Sequence, residues 1–64
     1  MKNYMEEAKA MLENITLDGL AECYMDDEIR EDLHIKMAPC TDEEFLAAYL
    51  ERHEEKFGEP LHYC

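Results

Sequence analysis

Carboxylates are the residues of this chain best placed to do chemistry. Twelve of the seventeen fall in three runs: Asp26, Asp27, Glu28, Glu31 and Asp32; Asp42, Glu43 and Glu44; and Glu51, Glu54, Glu55 and Glu59. A carboxylate can accept a two-pronged, charge-assisted hydrogen bond from a guanidinium, so a dense array of them suits an arginine-rich surface. Acid–base catalysis asks for more, because it needs a pocket that pushes two carboxyl pKa values apart. A chain of 64 residues has little room for one. The run 26–32 is not a calcium loop, since it lacks the glycine at the sixth position and the alternating ligands.

Cys23, Cys40, His53, His62 and Cys64 are the remaining groups with ligand or nucleophile chemistry. Their spacings contain no C-x₂₋₄-C pair, and the two histidines lie too far apart for a zinc finger, so neither a metal nor any other cofactor is expected. A thiol–imidazole pair such as Cys40 with His53 stays open at this level, although nothing else in the chain suggests an enzyme. Three cysteines form an odd set, unlike a disulfide framework. Cys23 and Cys40 are expected as small buried apolar groups. Cys64, at the end of the chain, is expected to be exposed and able to cross-link two copies.

The elements that must position these groups are helices. Thr41-Asp42-Glu43-Glu44 is a capping box, with Cys40 and Phe45 at the staple positions and Pro39 closing whatever precedes it. Phe45, Leu46, Tyr49, Leu50 and Phe57 then share one face with His53 on its edge, and Gly58 and Pro60 end the segment. This predicts a helix over 42–57. Asn3 with Glu6 caps an earlier segment bearing Met5, Ala8, Met11, Leu12 and Ile15 at helical spacing. Thr16 or Asp18 caps the next, which carries Leu17, Leu20, Ala21, Tyr24 and Met25. Ile29, Leu33, Lys36 and Met37 continue a compatible stripe. Asp26-Asp27 either starts a new helix or rides on a longer one, and the alternation from Leu33 to Met37 also permits a short strand. Leu61 and Tyr63 are either interface anchors or, for Leu61, further core. The expected fold is all-α, a small bundle of three to four helices in a single domain spanning residues 1–64.

Composition agrees. Ala, Leu, Met, Glu and Lys are abundant, valine is absent, and 47% of residues are apolar, too many for a disordered acidic tail. So short a chain buries only about 60% of the surface its unfolded form exposes, and its stability is correspondingly slender. Seventeen Asp and Glu against six Lys and Arg give a net charge of −11. Such a charge repels itself, which excludes direct DNA or RNA binding and anionic membranes as targets. Proteins that hold nucleic acid are the most positive partners available to it. Met1-Lys2-Asn3 leads into an amphipathic acidic stretch instead of an apolar one, so the expected compartment is the cytoplasm.

The segment from Ala38-Pro39-Cys40-Thr41-Asp42-Glu43-Glu44-Phe45-Leu46 to Phe57-Gly58-Glu59-Pro60 resembles the ends of short proteins encoded by bacterial phages and conjugative elements. In size, charge and helical character the chain is similar to anti-CRISPR inhibitors of that origin, several of which mimic nucleic acid. The resemblance implies an inhibitor of a CRISPR effector, a Cas9-type nuclease being the concrete example, acting at its basic nucleic-acid channel. It transfers no individual residue. From charge alone, Asp26, Asp27, Glu28, Glu31 and Asp32 are expected to bind the partner, with Glu51, Glu54 and Glu55 behind them. The alternative is a helical interaction or regulatory module, such as a homodimer that buries Met and Leu faces.

Overall fold

The computed structural model describes residues 3–37 and 39–62. Four helices follow one another: α1 over Tyr4–Leu12, α2 over Leu17–Cys23, α3 over Asp27–Met37 and α4 over Asp42–Phe57. Each starts on a side chain that satisfies an amide the helix leaves over. Asn3 Oδ1 accepts from the Glu6 amide at 3.1 Å, Thr16 Oγ1 from Gly19 at 3.1 Å and Asp26 Oδ2 from Ile29 at 3.2 Å. At α4 the capping box closes both ways, Thr41 Oγ1 accepting from the Glu44 amide and Glu44 Oε1 from the Thr41 amide. Gly58 ends α4 at φ +75°, a left-handed conformation that a side chain would strain. No described helix is long and apolar enough to cross a membrane.

The open question in the middle of the chain resolves into two helices. Asp26 caps the second of them, and residues 33–37 continue it as helix. Strand alternation would have set Leu33, Ile35 and Met37 on one face. Helical phase instead aligns Ile29, Leu33 and Met37, one turn apart, and leaves Ile35 83% exposed.

α4 is the central element, with α1 packed on one flank and α3 on the other. Ala8, Met11, Leu20, Met25, Ile29, Leu33, Phe45, Leu46, Tyr49 and Leu50 form the core, and Leu61 folds back against it. The apolar faces a homodimer would need are thus largely occupied within one chain.

Three sequence expectations are corrected. Cys23 and Cys40 are exposed: Cys23 is the last residue of α2, and Cys40 lies in the connection before Thr41. Phe57 is 46% exposed because it is the last residue of α4, and its ring rests on His53 at 4.6 Å. Cys40 and His53 do not pair: Cys40 precedes α4, and His53 lies roughly 16 Å of helical rise beyond its first residue, Asp42. The expectations for Tyr63 and Cys64 lie outside the described residues.

Candidate functional site

α3 and α4 run antiparallel, which sets the acidic run 26–32 opposite Arg52 and Lys56. Lys56 Nζ bridges Asp26 Oδ2 at 3.0 Å and Glu28 Oε2 at 2.7 Å. One turn along, Arg52 Nη1 meets Asp32 Oδ2 at 3.0 Å, and Lys36 reaches the same oxygen at 3.1 Å. Asp26, Glu28 and Asp32 therefore face Lys36, Arg52 and Lys56 in a ladder of balanced charge. The Lys56 ammonium, with help from the Ile29 amide, holds the Asp26 carboxyl below its ordinary pKa. Arg52 and then Lys36 do the same for Asp32. Glu28 and Asp26 in turn raise Lys56.

The ladder is anchored by a buried phenol. Tyr49 is fully buried, and its hydroxyl accepts the Asp26 amide at 2.7 Å, leaving its own proton for His53 Nδ1 at 3.0 Å. Burial raises the Tyr49 pKa and lowers that of His53, since each is held in its neutral form. The i, i+4 spacing of Tyr49 and His53 is the sequence signal for this pair; the link to Asp26, 23 residues away, has none.

The eight carboxylates expected to bind a partner thus divide. Asp26, Glu28 and Asp32 belong to the ladder, and Asp27 pairs with Arg30 at 3.1 Å. Glu31, Glu51 and Glu55 are exposed and make no ion pair among the described residues. Helical phase turns Glu31 away from Ile29 and Leu33, and Glu51 and Glu55 away from Leu46 and Leu50, so these carboxylates bracket the ladder on its solvent side. Glu54 is half-buried on the α1 flank, beside Glu7 and Leu61.

Lys9, Arg30, Lys36, Arg52 and Lys56 each lie within 4.0 Å of a carboxylate, so the described cations are already partnered. Outside the ladder, Glu6, Glu7, Glu13, Asp18, Glu22, Asp42 and Glu59 also make no ion pair among the described residues. What the surface offers to solvent is therefore negative. Among the described residues, no group of three or more His, Cys, Asp or Glu is arranged to hold a metal ion.

No curated protein and no solved structure matches the chain. A family model described as "Anti-CRISPR protein AcrIC5" matches residues 20–61, which takes in the whole of α3 and α4 and the second half of α2. That span is about two thirds of the sequence and contains the ladder and the carboxylates around it, and the chain accordingly belongs to the anti-CRISPR protein AcrIC5 family.

Proposed function

We propose that this chain inhibits a CRISPR–Cas effector by occupying a basic surface that otherwise holds nucleic acid. Family membership supports the inhibitory role. The observation that supports the mode of binding is the division of the carboxylates, with a neutral ladder at the centre and Glu31, Glu51 and Glu55 left for a partner. Carboxylates one helical turn apart are spaced by about 6 Å along the axis. That is roughly two phosphate steps of a nucleic-acid strand. Arginines that grip phosphates can grip such carboxylates with the same two-pronged geometry. Glu28, the most exposed member of the ladder, adds a further contact when Lys56 yields it.

The mechanism is competition. The inhibitor covers the cationic groups of the effector, and guide or target nucleic acid loses its counter-charges. Such binding weakens as salt screens it. A pull-down from host lysate at low and high salt, with the captured proteins identified by mass spectrometry, tests this. The expected result is a CRISPR effector subunit released by salt and by added DNA or RNA. A partner that is retained in high salt and ignores nucleic acid would refute the mimicry.

A further inference from the structure

At the end of the molecule where α3 gives way to α4, away from the ladder, lies an apolar groove of about 220 Å³. Leu17 and Phe45 line it with the His34 ring, which tilts against Phe45 at a centroid distance of 4.9 Å. Pro39 and Cys40 form one lip, and Asp42 stands on the rim. A second recess sharing Leu17, Thr41 and Asp42 continues it toward Leu12 and Glu43. The groove between Leu17, His34 and Phe45, taken without that shallower recess, falls short of the roughly 300–1,000 Å³ that a drug-sized ligand fills. It suits one side chain.

Charge decides whose side chain that is. A second copy of this chain would bring another −11 toward a rim that already carries Asp42 and Glu43, and would be repelled. Asp42 makes no ion pair among the described residues, and Lys9 stands 4.0 Å from Glu43 across a solvent-exposed gap. An occupant must therefore be apolar at its tip and cationic beside it. We propose that the groove receives a leucine- or methionine-sized side chain that projects from between lysine or arginine residues of the protein partner, the cations meeting Asp42 and Glu43 as the apolar tip covers Leu17 and Phe45. This rests on the partner being basic, as the proposed function has it, and adds a contact that salt does not screen. An acidic surface alone would suit many basic proteins, whereas a socket beside it selects one with a matching knob.

The test uses the full chain and two acetylated pentapeptides, arginine-lysine-leucine-lysine-arginine and the same peptide with serine at the centre, followed by backbone amide shifts in an NMR titration. The expected result is roughly fivefold tighter binding of the leucine peptide, the gain that half-burial of a leucine brings. Its shifts should centre on Leu17, His34 and Phe45. C40W, which fills the lip at an exposed position, should abolish the preference while the circular dichroism spectrum stays unchanged. His34→Ala, also at an exposed position, should weaken it by removing the ring that tilts against Phe45. Equal affinity for the two peptides, or a preference that survives C40W, overturns the socket. In that event, salt-sensitive binding of both peptides centred on Glu31, Glu51 and Glu55 would leave the proposed function standing. Absence of salt-sensitive binding by either peptide would count against both.

Discussion

The α3–α4 ladder and the carboxylates that bracket it are built from the same residue type at nearly the same density, and they do opposite things. In the ladder, Asp26, Glu28 and Asp32 are matched by Lys36, Arg52 and Lys56, so charge there holds two helices in register. Beside it, Glu31, Glu51 and Glu55 meet no cation among the described residues and destabilise the fold by mutual repulsion. A small protein under no demand but solubility could have interspersed both signs everywhere. Net charge thus locates nothing by itself; what matters is which carboxylates the fold has already neutralised.

Reversing the unmatched set should have the largest effect. Glu31→Lys with Glu51→Lys and Glu55→Lys should weaken effector binding about 100-fold, at roughly 1 kcal/mol for each charge pair removed from the interface. The melting temperature should hold or rise, because repulsion inside the chain is relieved. Affinity measured at two salt concentrations, beside thermal melts, checks both halves. Binding that survives all three reversals would dissolve the distinction between the two regions.

The next effect concerns the anchor. Tyr49→Phe keeps the buried ring but removes the hydroxyl that serves the Asp26 amide and His53 Nδ1. Leaving a buried donor unmatched costs about 1–3 kcal/mol. In a domain of this size each kcal/mol lowers the melting temperature by about 4–8 °C. Amide exchange at Asp26 should quicken in the same variant. A melting temperature equal to wild type would mean that water replaces the hydroxyl and the anchor is dispensable.

Reversal within the ladder gives a third and smaller contrast. Glu28→Lys with Asp32→Lys strands Lys36 and Arg52, leaves Lys56 with Asp26 alone, and sets two new cations beside them, so the melting temperature should fall. Binding should weaken less than tenfold, mainly through Glu28. These exposed pairs are individually weak, and salt should restore part of the stability by screening the new repulsion. A large drop in binding at unchanged stability would show that the ladder itself is the surface the partner touches.

How much of the fold and site is legible in the sequence depends on distance along the chain. The caps at Asn3, Thr16 and Thr41 and the stop at Gly58 are readable because each is settled within four residues. The break at Asp26 is only half readable: its cap on the Ile29 amide is local, whereas its contacts to Tyr49 and Lys56 come from 23 and 30 residues away. Charge pairing has the same fate. By sequence Arg52 and Lys56 are local relief for Glu51 and Glu55, yet the antiparallel packing of α3 on α4 gives them to Asp32, Asp26 and Glu28. For Cys23 and Cys40 residue type favours burial, whereas their positions at a helix end and in a connection carry them outside.

Acidity offers the finest cut between these groups, because each titrates in its own window. His53 has a folded pKa below its ordinary 6.5, chiefly from burial, opposed by Glu59, Asp26 and Glu54 and reinforced by His62. Between those two values the unfolded chain binds the extra proton, so stability must fall as pH drops through 6.5 and level off below the folded value. Structure gives the reason. A protonated Nδ1 would donate to the Tyr49 hydroxyl, which already takes the Asp26 amide and would have to turn its own proton elsewhere. Asp26 and Asp32 lie below 3.8, so the stability they contribute is fully present above 3.8 and is lost as pH falls from there through their folded values. Thermal melts from pH 7 to pH 2 should therefore show two separate declines, the upper one shallow. His53→Gln should remove the upper decline and leave the lower, while Asp32→Asn should reduce the lower and leave the upper. An upper decline that persists in His53→Gln would clear His53 of causing it, and the Tyr49–His53 contact would then have no part in holding the Asp26 end of the ladder.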